Sequence, residues 1–168
     1  FCDDLDVTGA LFYVMGFSEG KPLHSKKEAS DSIKLEDRVI LAHSFIDTLA
    51  SLHSLDPDAI GLGKLGRKED YIGRQVKTWY RSWMASIEPA NYDDRRAHDL
   101  QEYFISSKPE QQTASVVHGD YGFHNCLIGA DAKVSAVVDW EISSLGDPLA
   151  DLSLIHIYEP TRPREIAY

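Results

Sequence analysis

Short apolar runs that each have a polar residue at one end constrain this chain more than any other feature of its sequence. Three runs rich in β-branched residues predict short strands, and they lie at 114–117, 126–128 and 134–138. The sequence Gly-Ala-Asp-Ala at 129–132 predicts a hairpin turn between the second and third runs. A hairpin would bring together the residues that flank these two strands.

The residues at the ends of these runs are the ones that phosphoryl-transfer chemistry needs. Asp120 and Asn125 lie in the sequence His-Gly-Asp-Tyr-Gly-Phe-His-Asn after the first run, and Asp139 follows the third. In enzymes of the kinase type one Asp accepts the proton of the attacking hydroxyl, while an Asn and a second Asp hold Mg²⁺ against the nucleotide phosphates. We therefore predict Asp120 as the catalytic base. Asn125 and Asp139 are predicted ligands of Mg²⁺, which prefers hard oxygen donors.

Neighbouring polar residues are predicted to support this site. An isolated His-Gly-Asp would favour a turn-capping Asp, but the Asn and the downstream Asp favour function. His118 is expected to brace the loop by hydrogen bonding rather than to act as an acid or base. In Gly-Asp-Pro, Asp147 is expected to cap a following helix that begins at Pro148. The sequence leaves the role of His124 open.

The rest of the chain is mainly helical in pattern. Apolar residues recur at helical spacing over about 35–54, 71–87 and 95–106, and the Trp79 and Trp83 stripe of the second helix is expected to lie in a core. Residues 11–17 predict a strand and residues 21–34 a polar loop. The pattern therefore predicts an α+β domain with helices packed on a small sheet.

One glycine motif is predicted to be structural. The sequence Gly-Leu-Gly-Lys-Leu-Gly at 61–66 has the spacing of a phosphate-binding loop. Such loops follow a strand, whereas this one follows a predicted helix, so we expect a connector.

Composition excludes several classes of function. The formal net charge of −10 and the lack of a Lys/Arg run argue against a nucleic-acid or anionic-membrane surface. No apolar run reaches the length of a membrane span, and no signal peptide is recognisable. The two cysteines, Cys2 and Cys126, do not make a disulfide framework, which favours a reducing, cytoplasmic setting.

Several segments resemble the aminoglycoside phosphotransferase family, which has a protein-kinase-like fold. They lie at 12–15, 117–125 and 138–151. Further segments are similar to the branch found beside, or fused to, acyl-CoA dehydrogenases, and they lie at 49–56, 61–67 and 74–79.

The resemblance implies a fold and a set of ligands. Residues 1–152 would form part of the large, C-terminal lobe, beginning at a hinge strand over 11–17 and including a small β-hairpin sheet. The backbone of Met15, Gly16 and Phe17 would contact the adenine of ATP. The cofactors would be ATP and Mg²⁺. The acceptor would be the hydroxyl of a small molecule, with a hydroxyacyl-CoA as the candidate, and an acyl-CoA dehydrogenase would be the expected partner.

The sequence departs from the family pattern at both ends. No Gly-rich loop, phosphate-binding Lys or Glu partner precedes the hinge, so we expect a fragment that is inactive on its own. Residues 153–168 contain two prolines, lack a helical period and resemble a translated sequencing adapter, so we expect a non-native tail.

Other classes of function remain open at this point. A catalytically inactive kinase-like module could hold a ligand or a partner, although such a module has little reason to keep Asp120, Asn125 and Asp139 together. A metal-dependent hydrolase would use the same carboxylates, but the sequence offers no second cluster for a two-metal site.

Overall fold

The computed structural model describes residues 1–152, which form a mixed α+β fold and confirm the predicted fold class. The helices are α1 (Leu5–Thr8), α2 (Lys26–Ser32), α3 (Arg38–His53), α4 (Tyr71–Ala90) and α5 (Arg95–Ser107). The strands are β1 (Ser115–Val117), β2 (Cys126–Ile128), β3 (Val134–Val137) and β4 (Ser144–Gly146). The tail predicted over residues 153–168 lies outside the described residues.

The strands form two antiparallel ribbons. β2 pairs with β3 in the predicted hairpin, with Cys126 opposite Val137 and a register irregularity between Leu127 and Ile128. β1 pairs with β4, with Val116 opposite Leu145. The sequence reasoning missed β4, because its three residues, Ser-Leu-Gly, carry neither an apolar run nor an alternating pattern.

The core lies between α3 and the β2–β3 hairpin. Its buried side chains come from several segments, and they are Leu23, Ile33, Leu41, Phe45, Leu49, Tyr121, Cys126 and Ile128. Leu41, Phe45 and Leu49 follow one another at i, i+4 spacing, so one face of α3 supplies the helical side of this core. The Tyr121 hydroxyl donates to the Phe45 carbonyl oxygen at 2.7 Å, which ties the loop that contains Asp120 to α3.

Helices α4 and α5 pack against each other as a hairpin. The Tyr80 hydroxyl lies 2.7 Å from His98 Nδ1, and Trp83 meets Tyr92 edge to face with ring centroids 6.2 Å apart. The prediction that the Trp stripe lies in a core is wrong for Trp79, which is 72% exposed within residues 1–152, because the contacts of α4 at Tyr80 and Trp83 leave most of this ring uncovered. No helix in the described range is long and apolar enough to cross a bilayer.

The N-terminal part corrects two predictions. Residues 11–17 are not a strand, because their only ladder contact among the described residues is a bridge between Phe12 and Cys2. Residues 21–34 are not all loop, because they contain α2. Ser25 caps this helix by accepting from the Glu28 amide, while a Glu28 carboxylate oxygen accepts from the His24 amide. This is close to a capping box, a signal that the sequence reasoning overlooked.

Because Leu49 lies in this core and is only 2% exposed, shortening its side chain should destabilise the fold strongly. Leu49→Ala should lower the free energy of unfolding by about 2–5 kcal/mol, because the lost methyl groups leave a cavity between α3 and the hairpin. Val39→Ala, on the exposed side of the same helix, should change it by no more than about 0.5 kcal/mol. Urea unfolding of both variants measures this difference, and equal effects would contradict the assigned core.

Candidate functional site

The β2–β3 register brings two of the predicted site residues together. The Val138 amide donates to the Asn125 carbonyl oxygen at 2.9 Å, which extends the ladder one pair beyond Cys126 and Val137. Asp139 follows Val138 directly. Because facing and diagonal residues of an antiparallel pair lie about 4.5–8 Å apart, Asn125 and Asp139 share one end of the hairpin.

Asp120 is joined to Asn125 by hydrogen bonds. Asn125 Nδ2 donates to both the carbonyl oxygen and Oδ2 of Asp120, at 3.0 and 3.1 Å. His124 Nε2 lies 3.1 Å from the same Oδ2. The Asp120 side chain is 39% exposed, and its Oδ1 accepts no hydrogen bond from residues 1–152. One carboxylate oxygen is therefore held, while the other can receive a proton from a ligand.

Asp139 stands at the surface in an unusual backbone conformation. Its φ of 68° lies in the left-handed region, which Asp tolerates better than most residues. The turn that follows is closed by a hydrogen bond from the Ser143 amide to the Trp140 carbonyl oxygen. Strained residues of this kind collect at functional sites.

His118 connects the two polar loops. Its side chain is fully buried, and Nε2 lies 2.9 Å from the carbonyl oxygen of Val138. Because a carbonyl only accepts, Nε2 carries the proton, and Nδ1 can then accept from the Asp120 amide at 3.3 Å. His118 thus contacts both the residue before Asp139 and the backbone of Asp120.

Comparison with known proteins gives the site its context. The family model described as "Phosphotransferase enzyme family" matches residues 1–168. The chain belongs to this family.

One curated relative of this chain is named as a dehydrogenase rather than as a phosphotransferase. Acyl-CoA dehydrogenase family member 11 of Gallus gallus is 34% identical over 155 residues. The alignment covers 91% of this chain but 19% of the relative, so the chain spans about a fifth of that protein's length.

Solved structures show a partial kinase-like fold. A candidate aminoglycoside phosphotransferase from Ralstonia eutropha superposes with a TM-score of 0.73 at 30% identity, over 90% of this chain and 45% of that one. Macrolide 2'-phosphotransferase type I superposes with a TM-score of 0.59 over 87% of this chain and 48% of that one. Its identity of 22% supports the shared fold alone.

Two residues that contact the loop before Asp120 or each other were not predicted as site residues from the sequence. They are Asp151 and His53. The Asp151 carboxylate is completely buried and accepts from the His118 amide at 2.9 Å and the Gly119 amide at 2.8 Å. His53, at the end of α3, places Nε2 2.9 Å from Asp151 Oδ2. The available signal was His53 itself, a polar residue four positions after the buried Leu49 on the same helix face.

Asp147 lies at the start of the last described helical turn. It is buried, its Oδ1 accepts from the Leu149 amide at 3.0 Å, and its carbonyl oxygen accepts from the Ala150 amide. These bonds have the pattern of a helix cap. This capped turn positions the Asp151 carboxylate beside the backbone amides of His118 and Gly119.

The three residues predicted to contact adenine share no hydrogen bond with Asp120 or Asn125 in the described range. Met15, Gly16 and Phe17 form no hydrogen bond within residues 1–152, and Phe17 is 92% exposed. The chain rejoins the hairpin just afterwards, where Lys21 pairs with Ile128.

Two buried titratable groups behind the loop are held in their neutral forms. Burial raises the pKa of the Cys126 thiol to about 11, and burial also raises the pKa of Tyr121. A protonated thiol is a poor nucleophile, so Cys126 acts as a packing residue.

The donor set favours one kind of metal. Across the part of the chain that the structure describes, no group of three His, Cys, Asp or Glu side chains could hold a metal ion. Asn125 Oδ1 and the Asp139 carboxylate instead offer hard oxygens from two residues. Mg²⁺ suits such a site, because it keeps several waters and takes one or two carboxylates together with substrate phosphates.

Replacing the buried carboxylate should loosen the loop. In Asp151→Asn an amide NH₂ replaces one oxygen that now accepts from the His118 or Gly119 amide, so we expect a loss of about 1–3 kcal/mol in the free energy of unfolding. Hydrogen exchange at the His118 and Gly119 amides should become faster. Asp131→Asn, in the exposed hairpin turn, is the matched control. Unchanged exchange in Asp151→Asn would contradict the bracing role.

Proposed function

We propose that this chain carries the catalytic residues of an ATP- and Mg²⁺-dependent phosphotransferase that acts on the hydroxyl of a small molecule. The observation that carries this proposal is the clustering of Asp120, Asn125 and Asp139 at one end of the β2–β3 hairpin. Membership of the phosphotransferase family supports it.

Asp120 is proposed as the catalytic base. Its Oδ2 is held by Asn125 Nδ2 and His124 Nε2, whereas Oδ1 accepts no hydrogen bond from the described residues. A hydroxyl hydrogen-bonded to Oδ1 would be oriented for attack and would give its proton to that oxygen. Because the transition state of phosphoryl transfer is loose, orientation contributes more than base strength.

Asn125 and Asp139 are proposed to hold Mg²⁺. Since Nδ2 of Asn125 donates to Asp120, the amide oxygen is the atom left for the metal. When bound, the ion would neutralise charge on the nucleotide phosphates. The hydrogen bond from His118 to the Val138 carbonyl oxygen would keep Asp139 in position beside Asn125.

The acceptor and partners are proposed from the relatives. Because a curated relative is named an acyl-CoA dehydrogenase, a hydroxyacyl-CoA is the acceptor we propose, and a dehydrogenase is the proposed partner. The adenine of ATP is proposed to meet the backbone of Met15, Gly16 and Phe17, whose peptide groups are free of other hydrogen bonds in the described range. A cytoplasmic location is part of the same proposal.

The base role predicts a selective loss of turnover. Asp120→Asn keeps the shape of the side chain but cannot take a proton, so the turnover number of the full-length protein should fall about 10²–10⁴-fold. The dissociation constant for Mg²⁺–ADP should stay within about twofold, since the metal ligands are intact. A coupled ADP-release assay and calorimetry measure the two quantities. A variant that retains full turnover would refute the assignment.

The metal role predicts a different phenotype. Asp139→Ala removes a charged oxygen ligand, so the Mg²⁺-dependent part of nucleotide binding should disappear while Mg²⁺-independent binding remains. Asp131→Ala removes an exposed carboxylate from the same hairpin and serves as the control. Calorimetric titration of ADP with and without Mg²⁺ gives the comparison. Equal Mg²⁺ dependence in both variants would exclude Asp139 as a ligand. Mg²⁺-dependent binding without any turnover in the unaltered protein would instead favour an inactive binding module.

A further inference from the structure

Basic residues of α4 and of the segment just before it line a cavity that the proposed chemistry does not use. The cavity measures about 310 Å³, and its lining residues are Arg67, Asp70, Arg74, Lys77, Thr78 and Arg81. We call it the basic cavity. Arg74, Lys77 and Arg81 share one helix face because they are spaced three and four positions apart. Four of the 17 Lys and Arg residues therefore meet at one place in a chain of net charge −10.

The positive charges of the basic cavity are only partly offset by the one carboxylate in its lining. Within residues 1–152, no ion pair involves Arg67, Arg74, Lys77 or Arg81. The single acidic residue of the lining, Asp70, is paired instead with Lys108, whose ammonium group lowers the pKa of that carboxyl. Four basic side chains and one carboxylate give the lining a net positive charge, which attracts anions.

Contacts within the fold hold Arg74 in the lining of the basic cavity. Its Nη2 donates to the Leu145 carbonyl oxygen at 2.9 Å, and its guanidinium lies over the Tyr71 ring, 5.6 Å from the centroid. Its Nη1 is buried and has no hydrogen-bond partner among the described residues. A buried donor without a partner costs free energy.

We propose that the basic cavity binds phosphate groups of the acceptor, so that the acceptor is an extended organic phosphate of the coenzyme A type. This inference rests on the proposed phosphotransferase function and adds to it a site for the end of the acceptor remote from the reacting hydroxyl. Arginine matches phosphate because its planar fork of donors can engage two oxygens at once, and the lysine adds a mobile charge.

The position of the cavity suits such a ligand. Arg74 is bonded to Leu145 of β4, which pairs with Val116 of β1, and β1 leads through His118 to Asp120. Standard backbone dimensions place the Asp120 backbone within about 25 Å of the Arg74 guanidinium along this path. A coenzyme A thioester is long and flexible enough to place its phosphates at the basic cavity and a hydroxyl near Asp120.

Coenzyme A binding to the full-length protein tests the inference. Saturating Mg²⁺–ADP first fills the nucleotide site, and coenzyme A is then titrated by calorimetry. In the double variant Lys77→Glu with Arg81→Glu, both in exposed positions, the dissociation constant should rise at least about tenfold, because charge-assisted hydrogen bonds become repulsions. Pantetheine, which lacks phosphate groups, should bind the unaltered protein and the variant equally.

Two controls separate a site from a general charge effect. Arg38→Glu reverses an exposed charge at the start of α3 and should leave coenzyme A affinity unchanged. The affinity of the double variant for Mg²⁺–ADP should also be unchanged, which shows that it is folded. Failure of coenzyme A to bind the unaltered protein, or an equal loss in Arg38→Glu, would overturn the inference.

The same measurements distinguish this inference from the proposed function. Asp120→Asn should lose turnover and keep its coenzyme A affinity, because the basic cavity does not include Asp120. If the unaltered protein binds coenzyme A through Lys77 and Arg81 but transfers no phosphoryl group, the phosphate site is supported and the proposed function is refuted.

Discussion

The buried carboxylate of Asp151 is the interaction on which the candidate site depends. A carboxylate that is fully removed from water is tolerated only when hydrogen-bond donors surround it, and Asp151 accepts from the amides of His118 and Gly119 and contacts His53. These donors belong to the loop before Asp120 and to α3. One charge therefore fixes the loop conformation and ties it to the helix that forms the core.

Strand register provides the second constraint. Buried Cys126 and Ile128 must face the core, and a slip of one residue would turn them outward, so the pairing of β2 with β3 has one favourable register. That register sets the Val138 amide against the Asn125 carbonyl oxygen and leaves Asp139 as the next residue. The placement of the proposed metal ligands thus follows from the packing of the hairpin rather than from contacts between the ligands.

Prediction from sequence succeeded for the presence of a helix, which local spacing governs. α3 was predicted over about 35–54 from residues that include Val39, Ile46 and Leu49, and the structure confirms the helix. It turns a different face to the core, however, and buries Leu41, Phe45 and Leu49 while Val39 and Ile46 are exposed. Prediction failed over 11–17, where strand-forming residues find no strand to pair with in the described range, and at Trp79, whose apolar ring lies exposed on α4. In both cases the local sequence indicates which structure a segment can form. Whether that segment pairs or is buried depends on a packing partner elsewhere in the fold.

The sequence alone determined which chemical groups are available for the site. It also determined that Asp120, His124 and Asn125 lie near one another, because only a few residues separate them in one loop. It also determined the hairpin, since strand and turn preferences are local. Only the tertiary structure decided the contacts of His53 with Asp151, 98 residues apart, and of Arg74 with Leu145, 71 residues apart. Such pairs depend on how helices pack against strands, and that packing is set by the whole core rather than by either partner's neighbours in sequence.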